Sequence, residues 1–551
     1  MSDQYNKDRD ITQAEDEKDA NPQHLEHEGG TLEHVLQKHL HGTGLEDRQT
    51  ALELAMNADP GPNKISWRYI RLWLIVFLMC MNQGDGGFDG TLVGSINSMA
   101  QYQSYFNLGG EASTKAGVVY GIGIAGTIAS FFPSYWVPDR FGRRKAMFFG
   151  NILPIIGNVL SGCAHNYPTL LAARVLGGMG FVGGAPQAYL AEISPPAWRG
   201  RIMGFYNSSY YIGQIIGTGI CIPFGLSHSN MAWRIPFVLQ AVPLVILMAS
   251  IFTIPESPRW LYAAGRKEEA QKVLAYFHSR DNDVNSPLIQ LEMQEIVAQI
   301  SLDGGDKRWW DFKPLFNSRA NTYRFLLGLM NMYGSQFAGN GAITNWLPAL
   351  LKNAGITSTN KQRVYTFANS ITSMTGAMIG TWTVDHIGRR PLMLWASGSC
   401  GVNMAIVAGL LSKINPDNPA RTKAGIAFLM LHMVYFSIGW TPLQSLYPFE
   451  VISYENRQKA NALRNICYIV VSAFNSFALP VILNQAPWKP YVMFLGFNVI
   501  IFTVIWIWAV ETKQLSLEDL DEVFASPNPK KTSLALVREA KIMARNELAH
   551  A

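Results

Sequence analysis

Two copies of one short basic phrase, Asp139-Arg-Phe-Gly-Arg-Arg144 and Asp385-His-Ile-Gly-Arg-Arg390, lie in short polar gaps between long apolar segments. Those segments are roughly 20 residues long, the length of a helix that crosses a bilayer. The repeat therefore predicts two related membrane halves, with both phrases on one face of the membrane. Duplicated halves with a binding site between them are typical of transporters.

The composition of the 551-residue chain also indicates a membrane protein, with 48% hydrophobic and only 15% charged residues. Soluble domains average about 25% charged residues. All five cysteines lie in apolar stretches, so we expect no disulfide framework, no metal site and no cofactor. Residues 1–66 carry a net charge of about −8 and five histidines. They are predicted to form a partly disordered tail, and a metal or pH role for the histidines stays open.

The apolar pattern predicts an all-α membrane protein with twelve transmembrane helices in two six-helix halves. The predicted spans are about 70–93, 114–137, 146–164, 168–190, 202–224, 234–254, 325–350, 364–384, 391–411, 424–448, 460–484 and 489–509. The predicted organisation is an N-terminal tail (1–66), an N-terminal half (67–254), a cytoplasmic linker with short helices (255–323), a C-terminal half (324–510) and a C-terminal tail (511–551).

Lysine and arginine counts in the short loops set the predicted orientation, because cytoplasmic loops are enriched in these residues. The loops at about 94–113, 164–167 and 225–232 contain neither residue, whereas the loops that hold the arginine phrases are basic. We therefore expect both phrases and both termini to be cytoplasmic. In the second half the bias is weaker, since its external loops also carry lysine and arginine.

Further motifs resemble the sugar porter family of the major facilitator superfamily, over roughly residues 66–525. Within that family, Thr441-Pro-Leu-Gln-Ser-Leu-Tyr-Pro448 is similar to a fungal branch that includes lactose and cellodextrin permeases. The resemblance implies the major facilitator fold and a sugar as substrate. Besides the arginine phrases, the matching motifs are Arg174 ahead of Gly177-Gly-Met-Gly, Ala191-Glu-Ile-Ser-Pro, Trp233-Arg234, Pro255-Glu-Ser-Pro-Arg-Trp-Leu261 and Glu511-Thr-Lys513.

One ionisable residue, Asp89, falls inside the first predicted span, where a charge is costly and usually faces a partner or a wet cavity. The resemblance implies that it is the proton-coupling acid and that Arg174 is its partner. A cycle that separates the two side chains would load and release a proton; a fixed ion pair that only orients helices is the structural alternative. Asp85 lies four residues earlier, on the same helical face, where the family usually has a neutral residue, and its role stays open.

Amide and aromatic side chains in the spans indicate a polyol-like substrate, because amides pair with hydroxyl groups and rings cover the apolar face of a sugar. Hydrogen bonding between helices is the alternative for any single amide. Several positions differ from the family pattern, so the sequence does not define the sugar. The predicted substrate contacts are Asn207, Gln214, Gln336, Asn340, Asn345, Trp346, Trp440, Gln444 and Asn475.

Acidic residues recur beside the arginine phrases in both halves, which simple positive-inside anchoring does not explain. They are predicted to form a cytoplasmic gate whose ion pairs close the inner side when the transporter faces outward and separate when it faces inward. The predicted gate residues are Asp139, Arg143, Arg144, Glu192, Arg199, Glu256, Arg259, Asp385, Arg389, Arg390, Glu450, Arg457 and Glu511.

These features predict a proton-coupled sugar importer that works as a monomer in the plasma membrane. The partners are then a sugar, a proton and the lipid bilayer, with no nucleic acid. Transport of a non-sugar solute, such as a polyol, a quinate-like acid or a secondary metabolite, remains an alternative. So does a non-transporting sugar sensor. An enzyme is disfavoured, because the sequence contains no nucleotide-binding, metal-binding or nucleophile-turn motif.

Overall fold

A computed structural model describes residues 54–63, 65–111, 113–180, 184–303, 312–412, 419–453, 456–485, 488–513, 515 and 517–538. Long helices dominate these residues, and they fall at the twelve predicted span positions. Ordered along the chain, six positions form a first half and six a second half. The predicted all-α architecture is confirmed.

The helices of the first half and the linker are α1 (Trp67–Asn97), α2 (Ala100–Tyr105), α3 (Thr114–Gly121), α4 (Gly123–Phe141), α5 (Arg143–Cys163), α6 (Tyr167–Gly178), α7 (Ala185–Ile193), α8 (Pro196–Phe224), α9 (Met231–Ser250), α10 (Pro258–Ala263), α11 (Lys267–His278) and α12 (Pro287–Asp303). Those that follow are α13 (Arg319–Phe337), α14 (Asn340–Asn353), α15 (Thr359–Ile387), α16 (Arg389–Leu411), α17 (Pro419–Val451), α18 (Arg457–Gln485), α19 (Lys489–Trp508) and α20 (Leu517–Ala525).

Three predicted spans are each built from two helices rather than one: α3 with α4, α6 with α7, and α13 with α14. Among the described residues, six helices are both long and apolar enough to cross a membrane. The long helices α1, α8 and α15 are outside that group, since each carries polar side chains along its length. Interrupted and polar spans are tolerated where the backbone lines a cavity or is buried in protein.

Close backbone contacts hold the first half together. Helices α1 and α8 touch where Gly84 and Gly213 face each other, and a Cβ on Gly213 would overlap the Gly84 carbonyl group. Gly87 fits in the same way against the backbone of Tyr210. Small residues permit this approach, which is the usual source of close helix packing in membranes. The contact fixes α1, and therefore Asp89, against α8.

Polar contacts join the two halves at several levels of the bundle. We call the end that holds residues 139–144 and 385–390 the arginine face, and the other end the opposite face. Helix α1 begins at the arginine face, because Arg71 donates to the Thr253 carbonyl beside the end of α9 at 2.8 Å. Between described residues, the polar contacts that join the halves lie midway along the bundle or nearer the opposite face. These contacts therefore hold the halves together midway and at the opposite face.

Short helices cover the arginine face of each half separately. In the linker, α10, α11 and α12 share a buried apolar cluster that includes Leu261, Leu274 and Ile289. Phe277 of α11 extends into the core of the first half. After the last span, Leu520, Val523 and Phe524 of α20 pack into the core of the second half. The ion pairs Arg199–Glu292, His278–Glu292 and Arg324–Asp521, which these helices form with described residues, each lie within one half.

Candidate functional site

Asp89 of α1 and Arg174 of α6 form a bidentate ion pair, as the sequence predicts. Arg174 Nη1 lies 2.7 Å from Asp89 Oδ1, and Nη2 lies 3.1 Å from Oδ2. A third residue, Gln240 of α9, donates from Nε2 to Asp89 Oδ1 at 3.1 Å. Gln240 was not predicted as a site residue, although an amide within the strongly apolar sixth span could have indicated one.

The two members of this pair differ in the exposure of their side chains. The side chain of Arg174 is 8% exposed, whereas that of Asp89 is 37% exposed. A buried guanidinium group without its carboxylate would be strongly destabilising, so Arg174 holds Asp89 in its ionised form in this conformation. Any step that protonates Asp89 therefore requires Arg174 to move away or to find another partner.

The predicted contacts Gln336 and Asn340 flank a break in the seventh span. Helix α13 ends at Phe337 and α14 begins at Asn340, after Gly339 with a φ of +106°, a backbone conformation that glycine adopts readily. Four residues apart in one predicted helix, the two amides are expected to share a helical face, and this expectation is wrong because no continuous helix joins them. The break instead leaves the Asn340 Oδ1 atom buried without a hydrogen-bond partner.

Asn475 of α18 lies against this break. Its Nδ2 atom is 3.3 Å from the position that a Cβ on Gly341 would occupy, and its Oδ1 atom is buried and has no partner. Buried carbonyl oxygens without donors are rare in folded proteins and require a partner such as water or a ligand. Asn340 and Asn475 thus offer acceptor atoms suited to a hydroxylated molecule.

Next along α14, Asn345 and Trp346 contact the first half. The Tyr120 hydroxyl donates to the Asn345 carbonyl at 2.8 Å, and the rings of Tyr120 and Trp346 have centroids 4.3 Å apart. Trp346 itself is 1% exposed. In this conformation, both residues form the contact between the halves at the opposite face.

The remaining predicted contacts are divided between surface and core. Asn207 is exposed and Gln214 is buried on α8, where the backbone of Gln214 approaches Gly87. Trp440 is completely buried and packs on Gly334, so it has no free surface for a substrate in this conformation. Gln444 is half-buried, and its backbone carbonyl accepts a hydrogen bond from the Arg464 side chain at 2.9 Å.

The side chains of the first arginine phrase, residues 139–144, connect three helix ends within the first half. Arg143 lies 3.0 Å from Asp139 and 3.4 Å from Glu192, at the end of α7. Arg144 donates to the carbonyl groups of Ile251 and Phe252 after α9, at 3.2 and 3.0 Å. This side-chain arrangement joins the start of α5 to the ends of α7 and α9.

The glycine of the phrase has a definite structural role. Gly142 has a φ of +96° directly before α5, and a Cβ there would overlap the carboxylate of Glu256. That carboxylate accepts from the backbone amides of Arg143 and Arg144 at 3.0 and 3.3 Å, which satisfies the free N–H groups of the helix start. Burial raises the pKa of Glu256, and these backbone donors act in the opposite direction.

The second half repeats the arrangement. Arg389 contacts Glu450 at 2.7 Å, and Glu511 accepts from the backbone amides of Arg389 and Arg390 at 2.9 and 3.1 Å. Arg390 donates to the Trp506 carbonyl at 3.1 Å, and Gly388 has a φ of +105°. The side chain of Asp385 lies outside the described part of the chain.

A further feature that repeats in both halves was not predicted from the sequence. The Tyr189 hydroxyl donates to the Pro255 carbonyl at 2.9 Å, and the Tyr447 hydroxyl donates to the Val510 carbonyl at 3.1 Å. Each tyrosine stands three residues before the acid of its cluster, in Tyr189-Leu-Ala-Glu192 and Tyr447-Pro-Phe-Glu450. In each half a hydroxyl after the last span also contacts that acid: Ser257 contacts Glu192 and Thr512 contacts Glu450.

Three other predicted gate residues make different contacts. Arg199 lies 3.5 Å from Glu292 of α12, and Glu292 in turn contacts His278. Arg457 donates to the Phe449 carbonyl at 2.7 Å, and Arg259 is half-buried in α10 without an ion pair to a described residue. Between described residues, every ion pair at the arginine face joins parts of one half.

An ion pair that joins the halves lies at the opposite face. Lys352 Nζ, at the end of α14, is 3.1 Å from Glu111 Oε1, in the segment between α2 and α3. The Glu111 side chain is 7% exposed, and burial raises its pKa although Lys352 acts to lower it. Asn97 Nδ2 donates to the Glu111 carbonyl at 2.7 Å and fixes the segment on the end of α1.

Two repeated halves, helices long and apolar enough to cross a membrane, and an ion pair between two of the predicted spans together indicate a multi-pass membrane transporter. The chain belongs to the sugar (and other) transporter family, whose model matches residues 75–524. This assignment confirms the resemblance found in the sequence and the prediction of a transporter rather than an enzyme.

Curated relatives of the chain include both glucose and quinate transporters. The chain is 28% identical over 487 residues to the MFS glucose transporter mfs1 of Aspergillus flavus, covering 82% of this chain and 90% of the relative. It is 28% identical over 509 residues to a quinate permease of Neurospora terricola, covering 86% and 92%.

Among solved structures, the fold is similar to that of the xylose transporter XylE from E. coli in an inward-open conformation. The TM-score is 0.66, with 20% identity over 82% of this chain and 99% of XylE. In another solved structure, XylE is named as a proton:xylose symporter.

Proposed function

We propose that this protein imports a sugar together with a proton by alternating access, and that it does so as a monomer in the plasma membrane. The arginine face is then cytoplasmic, as are both termini, and the present conformation is inward-facing. The N-terminal half (67–254) and the C-terminal half (324–510) move as the two units, joined by the linker (255–323). The tails, 1–66 and 511–551, lie on the cytoplasmic side.

The observation that carries this proposal is the ion pair of a half-exposed Asp89 with a buried Arg174. A carboxylate inside a membrane bundle is costly, so it serves a partner or a transported ion. The pair can separate only if the helices move, which couples protonation to the conformational change. The glucose and xylose transporters among the similar proteins support a sugar as substrate, and the proton:xylose symporter supports the coupling.

Uptake by proteoliposomes tests the function directly. Radiolabelled mono- and disaccharides and quinate are offered with and without an inward proton gradient. We expect accumulation of a sugar above its external concentration only with the gradient, and acidification of the lumen when the sugar is added. Equilibration without accumulation would indicate a facilitator, and the absence of any transport by a folded protein that binds sugar would indicate a sensor.

Asn475→Ala is expected to weaken sugar binding without loss of folded protein. The substitution removes an acceptor that no protein donor satisfies, so the bound substrate loses a hydrogen bond while the free protein loses none. We expect the Kd to rise about 2- to 10-fold, the equivalent of one neutral hydrogen bond. Asn498→Ala is the matched control: its Oδ1 atom is likewise buried without a partner, but its Nδ2 atom donates to two protein carbonyls. That control should lower stability instead, and equal effects of both variants on stability would contradict a binding role for Asn475.

Lys352→Ala and Glu111→Gln are expected to shift the conformational equilibrium in opposite directions. A carboxyl group whose pKa is higher in one conformation favours that conformation as the pH falls. Burial raises the pKa of Glu111 in the present conformation, so a lower pH at the opposite face favours this conformation, in which the halves are in contact there. Glu111→Gln imitates the protonated group and should favour the present conformation. Lys352→Ala leaves a buried carboxylate unpaired and should favour the other. Since Lys352 is half exposed, we expect about a fivefold shift or less.

Spin-label distances across the opposite face at several pH values measure this shift. Glu111→Gln should also remove the component of the pH dependence that Glu111 contributes. A double variant that matches Glu111→Gln alone would show that Lys352 acts through Glu111. Identical distance distributions for both single variants and the parent would contradict the role of this ion pair.

A quinate-like hydroxylated acid is the second candidate substrate. One relative is a quinate permease. In addition, Arg464 of α18 lies beside the predicted substrate contact Gln444 and donates to its backbone carbonyl at 2.9 Å. A cation at that place suits a carboxylate. In the uptake panel, quinate transport that is lost in Arg464→Gln would favour this candidate over a neutral sugar.

A further inference from the structure

A second carboxylate, Asp85, lies one helical turn from the Asp89–Arg174 pair on α1. It is half-buried, and its Oδ1 atom is buried without a hydrogen-bond partner. Residues four apart on a helix have Cβ atoms roughly 5–6 Å apart, so the two carboxylates are direct neighbours. Two ionised carboxylates at that separation in a membrane bundle repel each other strongly.

Gln240 of α9 is the neutral partner of Asp89. Its Nε2 atom donates to Asp89 Oδ1 at 3.1 Å. Gln240 is 2% exposed, and its Oε1 atom is buried without a donor. The site therefore holds unsatisfied acceptor oxygens on both Asp85 and Gln240. One proton on Asp85 converts that residue into a donor and lowers the number of unsatisfied acceptors.

The other charged and titratable groups favour placing this proton on Asp85 rather than on Asp89. Arg174 forms two bonds with Asp89 and keeps it ionised. The Tyr210 hydroxyl of α8 lies beside Gly90, next to Asp89 in the chain. Asp85 is thus the one carboxyl of this group that lacks a cationic hydrogen-bond partner.

Asp85 also lies on the exit side. Helix α1 begins at the arginine face, where Arg71 binds the Thr253 carbonyl. Asp85 precedes Asp89 by four residues, which places it about 6 Å closer to that face. Along α1, Asp85 therefore lies between Asp89 and the arginine face, the side toward which the proton leaves in the proposed symport.

We propose that Asp85 is the last protein group to hold the transported proton before its release, which rests on the proposed proton symport. When Arg174 pairs with Asp89, the Asp89 O–H bond breaks and the proton passes, directly or through one water, to an oxygen of Asp85. From there it leaves to water at the arginine face, and Asp85 becomes an anion. Asp89 binds the proton during loading, and Asp85 passes it on.

The test compares Asp85→Asn, Asp85→Glu and Asp89→Asn in proteoliposomes, with Asn82→Ala as the control on the same helix. Asn82 is a polar residue near Asp85 whose amide bonds to Asn151 at 3.1 Å. Three quantities are measured: sugar counterflow without a gradient, sugar-dependent proton movement into the lumen, and accumulation as a function of luminal pH. Because asparagine imitates a protonated aspartate, Asp85→Asn is expected to fold and to support counterflow.

We expect Asp85→Asn to slow sugar-dependent proton release at least about tenfold, in the range of a lost proton-transfer group. Asp85→Glu should restore release with a shifted dependence on luminal pH, and Asn82→Ala should behave as the parent. Unchanged proton release and luminal pH dependence in Asp85→Asn would overturn the proposal. Should Asp85→Asn fail to fold, an unshifted luminal pH dependence in a folded Asp85→Glu would overturn it as well. The parent's lack of any sugar-dependent proton movement would instead overturn the proposed symport, and the role of Asp85 with it.

Discussion

Asp89→Asn is expected to abolish accumulation of the sugar above its external concentration. Asparagine preserves the size of the side chain and its hydrogen bond from Gln240, but it carries no transferable proton. The carrier would then move substrate only down its gradient. In proteoliposomes, the ratio of internal to external sugar should fall to about one at every imposed proton gradient, since nothing couples the two fluxes.

The same variant leaves Arg174 buried without its carboxylate, so lost stability must be separated from lost coupling. Counterflow is the control, because it requires binding and conformational exchange but no proton gradient. We expect counterflow to persist in Asp89→Asn, because the oxygen of the asparagine amide can still accept a hydrogen bond from Arg174. Accumulation by Asp89→Asn at the level of the parent would remove Asp89 as the coupling residue.

The large-scale fold was predictable because its signals are long and repeated. Apolar segments of spanning length and two copies of the arginine phrase indicated the number of spans and the duplication. The burial cost of a charge inside an apolar span required only that Asp89 have some partner, and the resemblance to the sugar porter family supplied Arg174. Gln240 was not predicted because a neutral amide imposes no such requirement, although it donates to Asp89.

The breaks within spans were not predictable from periodicity. The pattern around Gln336 and Asn340 fits one helix, yet the chain leaves the helix at Ala338 and Gly339. A single glycine in a helix costs only about 1 kcal/mol relative to alanine, so tertiary packing decides whether the helix continues. The burial of Trp440 is likewise a property of its packing on Gly334 rather than of local sequence.

Glu192→Gln is expected to destabilise the first half much more than Asp139→Asn does. Arg143 contacts both acids, but the Glu192 side chain is 7% exposed and that of Asp139 is 61% exposed. Loss of an exposed partner changes stability by about 1 kcal/mol or less. Loss of the charge on the buried partner Glu192 leaves the guanidinium group of Arg143 without a buried carboxylate. The free energy of unfolding then falls by several kcal/mol. Thermal unfolding in detergent should show a drop of several degrees for Glu192→Gln and almost none for Asp139→Asn.

Comparison of these variants with the second half separates two roles for the arginine clusters. In the described residues, each cluster binds helix ends of its own half, which makes it a clamp that keeps the half rigid. Glu450→Gln should therefore reproduce the loss seen in Glu192→Gln, and the two losses should add, because the ion pairs Arg143–Glu192 and Arg389–Glu450 lie in different halves. A gate that forms across the halves predicts a different result. Single variants would then leave thermal stability unchanged and shift spin-label distances at the arginine face toward the open conformation, and the combined variant would shift them no further.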